Sequence, residues 1–150
     1  MKVIEYKNNS ELDEKIKKFV TSILITELNQ KTYFPRPDLD DFDIYRRSGG
    51  KMWLIVSGAE ILGSIAIIIS DNHQAILKRF FVDKSLRSKG WGTKLFNNAI
   101  NFCKSKKIKE VLLSNDSRNM AQAYKFYLNH GFKEISKRSD GYVTMKLCLS

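Results

Sequence analysis

Apolar positions along the chain switch between two rhythms, and the switches mark the elements. Residues 3–6 read as a short strand. Leu12, Ile16, Phe19, Val20, Ile23 and Leu24 then recur at helical spacing and form one apolar face. Asn9 and Ser10 stand ahead of that face as caps. Glu11, Asp13 and Glu14 fill the first turn, where the helix dipole favours carboxylates. The stretch 31–50 is polar and broken by Pro35 and Pro37, and a short helix over residues 39–45 fits there. Residues 52–56 and 61–69 predict two strands joined by the hairpin loop Ser57-Gly58-Ala59-Glu60. Asp71-Asn72-His73 marks a second turn, and residues 76–82 follow as another strand. Gly90-Trp91-Gly92 opens a helix with Leu95, Phe96, Ala99, Ile100 and Cys103 on one side. Residues 111–113 form a short apolar strand. Residues 119–129 predict a helix ended by His130-Gly131, glycine being suited to a left-handed stop. Residues 132–135 and 142–147 read as a closing pair of strands. The sum is an α+β layout with a mixed sheet and no internal repeat.

A length of 150 residues fits one domain with a sizeable core. The apolar share of 43% and charged share of 28% exclude a disordered chain. The longest apolar run, 61–69, is far short of the ~18 residues that signal a membrane span. The start, Met1-Lys2-Val3-Ile4-Glu5-Tyr6-Lys7, has no apolar signal core, so a cytoplasmic location is expected and no membrane partner. Cys103 and Cys148 lie far apart with no metal-ligand spacing, so no metal site is expected. Both read as buried thiols in a reducing compartment.

Charge changes the picture more. Residues 1–60 carry ten Lys/Arg and ten Asp/Glu. Residues 61–150 carry sixteen and six, so the whole excess of +10 lies in the second part. Such a field favours a polyanion, either nucleic acid or a phosphate-rich cofactor, although a solvated basic surface explains it equally.

Within that basic part, Arg87-Ser88-Lys89-Gly90-Trp91-Gly92-Thr93 joins a strand to a helix. A helix start presents unpaired N–H groups and a partial positive charge. Two glycines let backbone approach an anion, Arg87 and Lys89 add charge, and Thr93 adds a hydroxyl. The combination suits a pyrophosphate. It is not a P-loop, because the Gly-Lys-Ser/Thr ending is missing. Nor is it the dinucleotide fingerprint, because Leu95 stands where the third glycine would fall. A lone Gly-x-Gly is more often an ordinary turn before a helix, so the loop needs independent support.

The flanks supply it. Leu77-Lys78-Arg79-Phe80-Phe81-Val82, four residues, then Arg87-x-x-Gly90-x-Gly92 resembles the acetyl-CoA motif of the GNAT superfamily of N-acetyltransferases. Downstream, Asn119 and Ala123-x-x-Phe126-Tyr127-x-x-x-Gly131-Phe132 is similar to that family's second signature, at fitting distance. The resemblance covers roughly residues 50–135. It implies one N-acetyltransferase domain over 1–150, with a mixed, mostly antiparallel central sheet and helices on both faces. It also implies acetyl-CoA as cosubstrate and a small-molecule or peptide amine as acceptor. The strand before the loop would splay from its neighbour, and pantetheine would pair with backbone near Phe80 and Val82. Residues 87–93 would hold the pyrophosphate, with Asn119 and the following helix, including Phe126, on the other side. A homodimer is among the assemblies left open.

The resemblance implies direct attack by a neutral amine, without an acyl-enzyme. The Val82 backbone N–H is then the candidate for polarising the carbonyl. Tyr127 matches the family's general acid, since a phenol with pKa near ~10 can donate to a thiolate of comparable basicity. The alternative is a packed aromatic. Many relatives place a glutamate base near the position of Ile76, and this chain has none there. Glu27, Asp116 and a water chain are the candidates. His73 reads as a solvated turn residue, and His130 as a cation at a helix end. Acceptor contacts are expected from residues 25–50, 114–118 and 135–142. There Asp38, Asp40, Asp41 and Asp43 either attract a cationic amine or simply start a helix. Two other readings stand beside the enzyme. One is a non-catalytic acyl-CoA-binding or sensing module, suggested by the missing glutamate. The other is a nucleic-acid-binding module, suggested by charge but lacking any recognised motif, so nucleic acid is not the expected partner.

Overall fold

The computed structural model describes residues 1–27, 36–116 and 120–149. In chain order these form β1 (Lys2–Glu5), α1 (Ser10–Thr26), α2 (Pro37–Asp40), α3 (Ile44–Arg47), β2 (Lys51–Ser57), β3 (Glu60–Ile69) and β4 (Gln74–Val82). Then follow α4 (Trp91–Ser105), β5 (Glu110–Asp116), α5 (Ala121–Asn129), β6 (Lys133–Lys137) and β7 (Tyr142–Cys148). The strands make one seven-stranded sheet in the order β1-β2-β3-β4-β5-β7-β6. Every neighbouring pair is antiparallel except β4 and β5. This is the α+β, mostly antiparallel sheet expected from the sequence.

Both faces of the sheet are covered, which is why β2 and β3 read as near-continuous apolar runs. Trp53, Ile55, Ile65 and Ile67 pack with Leu95, Phe96, Ala99 and Cys103 of α4. Met52, Leu54 and Ala66 point the other way, onto Ile16 and Val20 of α1 and onto Leu39, Phe42 and Tyr45. Asn9 caps α1 by accepting the Leu12 N–H at 2.9 Å. Gly131 ends α5 with φ 95°, the left-handed stop its sequence predicts. No helix among the described residues is long and apolar enough to cross a membrane.

Three local expectations need correcting. Residues 39–45 are not one helix but parts of two short ones. Asp41 between them is extended, and its carboxylate accepts the Asp43 N–H at 3.2 Å, a side-chain bond that competes with the helical ladder. Strand β5 runs past its apolar part to Asp116, because Ser114, Asn115 and Asp116 pair with Thr144, Val143 and Tyr142. Cys148 is exposed rather than buried, sitting at the last residue of β7, while Cys103 is fully buried.

Two irregularities position the site. The register between β3 and β4 passes from Ser64↔Phe81 to Ala66↔Lys78, so β4 carries one extra residue. Arg79 takes up the bulge with φ 53°, and the buried Ser64 hydroxyl donates to its carbonyl at 2.7 Å. The second irregularity is the parallel pair β4–β5. It is joined only at Gln74↔Glu110, Ala75↔Val111 and Ile76↔Leu112. Beyond Ile76 the two strands part.

Candidate active site

The parting of β4 and β5 opens a cleft of about 270 Å³. Ile76 and Phe80 line it from β4, Asn115 and Asp116 from β5, and Tyr127 and Tyr142 from beyond. Arg36, Lys78 and Arg79 are also among its lining residues. A wider hollow of about 440 Å³ lies between β1 and α4, lined by Lys2, Trp91, Lys94 and three asparagines. It shares no residue with the cleft, and only the cleft holds the phenol and carboxylate that acid–base chemistry needs.

Tyr127 is only 5% exposed. Its hydroxyl has no hydrogen-bond partner among the described residues, and burial pushes its pKa well above the ordinary phenol value. Its ring sits in an aromatic cluster. Phe80 lies 6.1 Å from Tyr127 and 5.4 Å from Phe126, centroid to centroid. Phe126 stacks on His130 at 3.9 Å, and His130 Nδ1 lies 2.7 Å from the Phe126 carbonyl. Phe80 and Tyr127 therefore line the cleft, whereas Phe126 supports them from the α5 side.

The loop after Val82 is built by local bonds. Asp83 accepts the Ser85 N–H at 3.0 Å and its hydroxyl at 2.6 Å, making one tight 3₁₀ turn over Lys84–Leu86. Ser88 and Gly90 then adopt positive φ, 63° and 88°. Helix α4 starts with no side-chain cap and no acid in its first turn. Lys94 donates to the Gly90 carbonyl at 3.1 Å, so the N–H groups of Trp91, Gly92 and Thr93 have no helical acceptor. A Cβ on Gly90 would meet nothing within 4 Å, so the loop backbone faces open space. Ser88, Lys89, Gly90 and Thr93 are exposed. Such a start, with positive charge and free donors, fits an anion. Trp91 is half-buried against the core that α4 makes with the sheet, and Lys94 lies 4.3 Å over its ring.

Arg87 is engaged on both sides. Its Nε donates to the Val82 carbonyl at 3.0 Å, and its Nη2 pairs with Glu27 at the end of α1. Glu27 lies outside the cleft lining, so Asp116 is the one carboxylate lining the cleft among the described residues. Asn119 lies outside the described residues. Cys103 is a core thiol, pushed up to about 12 by burial.

Two features of the site were not anticipated. Asp38, Arg79 and Tyr45 form one buried network: Arg79 donates to Asp38 at 2.7 and 2.9 Å, and Tyr45 donates to it at 2.6 Å. Burial alone would raise the Asp38 pKa. The Arg79 and Tyr45 hydrogen bonds and the nearby cations outweigh it and hold the carboxyl below its usual range. The other surprise is Asn115, a cleft-lining residue only 3% exposed, whose Nδ2 is buried with no partner among the described residues.

This architecture is shared with acyl-transferring enzymes. A GNAT-family acetyltransferase of Staphylococcus aureus is 32% identical over 99% of both chains, with a TM-score of 0.87. An acetyltransferase of Streptococcus agalactiae is 21% identical, covering 99% of this chain and 98% of its own, with a TM-score of 0.85. The PaiA N-acetyltransferase of Thermoplasma acidophilum, solved in complex with coenzyme A, superposes with a TM-score of 0.75. It is 19% identical over 99% of this chain and all of its own. No curated protein matches the sequence significantly. The family model for the acetyltransferase (GNAT) domain matches residues 48–134, more than half of the chain. The chain belongs to the GNAT acetyltransferase family.

Proposed function

We propose that this chain transfers an acetyl group from acetyl-CoA to a primary amine by direct attack in the β4–β5 cleft. One observation carries the reading: the sheet opens beside a buried phenol that has no hydrogen-bond partner among the described residues, and the strand that lines the opening runs into a helix start suited to an anion. When bound, the thioester supplies the acyl group: its C–S bond breaks as the amide C–N bond forms, the amine loses a proton and the sulfur gains one.

The chain's own residues divide the remaining work. The N–H groups of residues 88–93, with Lys89 and Thr93, hold the diphosphate. Phe80 and Val82 present the parted edge of β4 to the pantetheine, and the Val82 N–H polarises the reacting carbonyl. Phe126 backs Phe80 and Tyr127 from α5, and Asn119 is assigned to the pantetheine on its motif match alone. Tyr127 keeps its proton at neutral pH because it is buried, and it delivers that proton to sulfur. Asp116 takes the amine's proton, directly or through water.

The test is thiol release from acetyl-CoA against a panel of primary amines. Turnover with at least one amine is expected. Binding of CoA with no turnover across the panel would leave a binding module instead.

A further inference from the structure

Strand β4 changes faces at its bulge. Ahead of the bulge, Ala75 and Leu77 pack in the core that holds Leu95 and Ala99 of α4. Behind it, Phe80 and Val82 pack against that same core, while Phe81 joins the core of α1 on the other face. Odd-numbered residues thus face α4 before Arg79, and even-numbered ones after it. A regular strand alternates without a break, so the extra residue is what turns Phe80 and Val82 toward α4. There the Phe80 ring lies 6.1 Å from that of Tyr127. A Cβ on Gly92, in the first turn of α4, would lie 3.6 Å from Val82 and 3.7 Å from Phe80.

The backbone of β4 is aimed as well. The Asp83 N–H donates to the Leu62 carbonyl of β3 at 2.8 Å. N–H directions alternate along a strand, so those of Val82 and Phe80 point away from β3, to the edge from which β5 has parted. The Arg79 carbonyl points the other way. It accepts the Ser64 hydroxyl of β3 at 2.7 Å, and a trans peptide sets that carbonyl opposite to the Phe80 N–H. Arg79 needs such a hold, because its φ of 53° is disfavoured for a residue other than glycine. Asp38 holds the Arg79 side chain, whereas Ser64 holds the peptide itself. Ser64 is fully buried, so bulk water does not compete for the bond.

Resting on the transferase reading above, we infer that Ser64 is a positioning residue for acyl transfer. Its hydroxyl fixes the Arg79–Phe80 peptide, and through that peptide the direction of the Val82 N–H that polarises the thioester carbonyl. Ser64 touches no reactant. It acts by keeping a donor in line, and a misplacement of about 1 Å in such a group costs up to ~10²-fold in rate.

The experiment binds acetyl-CoA, labelled with carbon-13 at its carbonyl, to the parent chain, Ser64→Ala and Ser64→Thr. The carbonyl resonance reports the hydrogen bond to the thioester and needs no acceptor amine. Calorimetric titration with CoA gives the affinity, and thermal melts give the stability. In the parent, the bound carbonyl is expected to resonate away from its free position. Ser64→Ala is expected to lose most of that displacement while its affinity for CoA holds. Ser64→Thr keeps the hydroxyl and is expected to restore the displacement, even where its Tm is lower than that of Ser64→Ala. Should Ser64→Ala fail to fold, Ser64→Cys, with its similar shape and weak S–H donor, is judged by the same criteria. A displacement in Ser64→Ala equal to the parent's overturns the inference alone. So does Ser64→Thr doing no better than Ser64→Ala, or a loss of displacement matched by a loss of CoA affinity. A parent that binds CoA without displacing the carbonyl ends the Val82 assignment and the inference with it. Failure of the transferase reading is distinct: it shows as no binding of CoA at all.

Discussion

Arg79, at the bulge of β4, grips Asp38 of α2 through two hydrogen bonds of 2.7 and 2.9 Å. The contact ties α2 to β4, the strand that lines the cleft. Their side chains are only 17% and 14% exposed, so neither charge is well solvated. The residue at the β4 bulge thus also anchors α2 to the sheet.

Asp38→Asn is expected to cost about 3 kcal/mol, because it strands a largely buried guanidinium. The cost depends on pH in a set direction. Asp38 is held below the usual carboxylate value, so folding favours its ionised form. Its stabilisation is fully present above the unfolded pKa of about 3.9, and is lost as pH falls through the lower folded value. Urea denaturation at pH 7 should show the full difference between parent and variant, and at pH 3 a smaller one. An equal difference at both pH values would deny the carboxylate this role.

Glu27 and Arg87 allow a second test. Glu27→Gln frees Arg87 and loosens the turn before α4, so the KM for acetyl-CoA should rise several-fold. A catalytic base removed in this way would lower kcat by about 10²-fold or more. Steady-state kinetics separates the two outcomes. A fall in kcat at unchanged KM would return Glu27 to candidacy as the base.

Much of this was legible in the sequence, and the reasons differ by element. Strands β2 and β3 and helix α4 were plain because their apolar runs and spacing carry the core. The turn at residues 87–93 gained its meaning only from the motif around it, because a Gly-x-Gly alone is more often an ordinary turn before a helix. The end of β5 was hidden, because Ser114, Asn115 and Asp116 look like a turn until Thr144, Val143 and Tyr142 pair with them. Pairing with residues 26 to 30 positions away leaves no local trace. The bulge was hidden for a similar reason. Arg79 is a poor choice for φ 53°, and only the Ser64 hydroxyl across the sheet and Asp38 beyond it show why the strand bends there. The ion pairs of Asp38 and Asp40 were hidden because their partners, Arg79 and Lys17, lie 41 and 23 residues away.

Tyr127→Phe is expected to lower kcat by about 10²-fold while CoA affinity changes little, since the hydroxyl has no hydrogen-bond partner among the described residues. Burial lifts the Tyr127 pKa above the ordinary phenol value, so the group stays protonated throughout the neutral and mildly alkaline range. The pH–rate profile of the parent protein should therefore show no alkaline limb from this residue up to pH about 10. Stopped-assay kinetics from pH 6 to 10 checks both points. Full activity in Tyr127→Phe would remove the phenol from the reaction.

Gly90 carries the sharpest test of the anion turn. It sits at φ 88°, where an L-residue pays about 1–2 kcal/mol in backbone strain. A new Cβ would touch no protein atom within 4 Å, so no clash adds to that cost. Gly90→Ala should therefore lower Tm by only a few degrees. The added methyl enters open space at the N-cap of α4, close to where a diphosphate held by that turn would sit. CoA affinity should fall by roughly tenfold or more, an effect of about 1.4 kcal/mol on binding. Ser88→Gly is the paired control. It relieves a strained non-glycine φ of 63° without adding atoms, so neither affinity nor stability should drop by more than about 1 kcal/mol. Calorimetric titration with CoA and thermal melts of both variants make the comparison. If Gly90→Ala loses stability as expected but binds CoA as tightly as the parent, the diphosphate lies elsewhere.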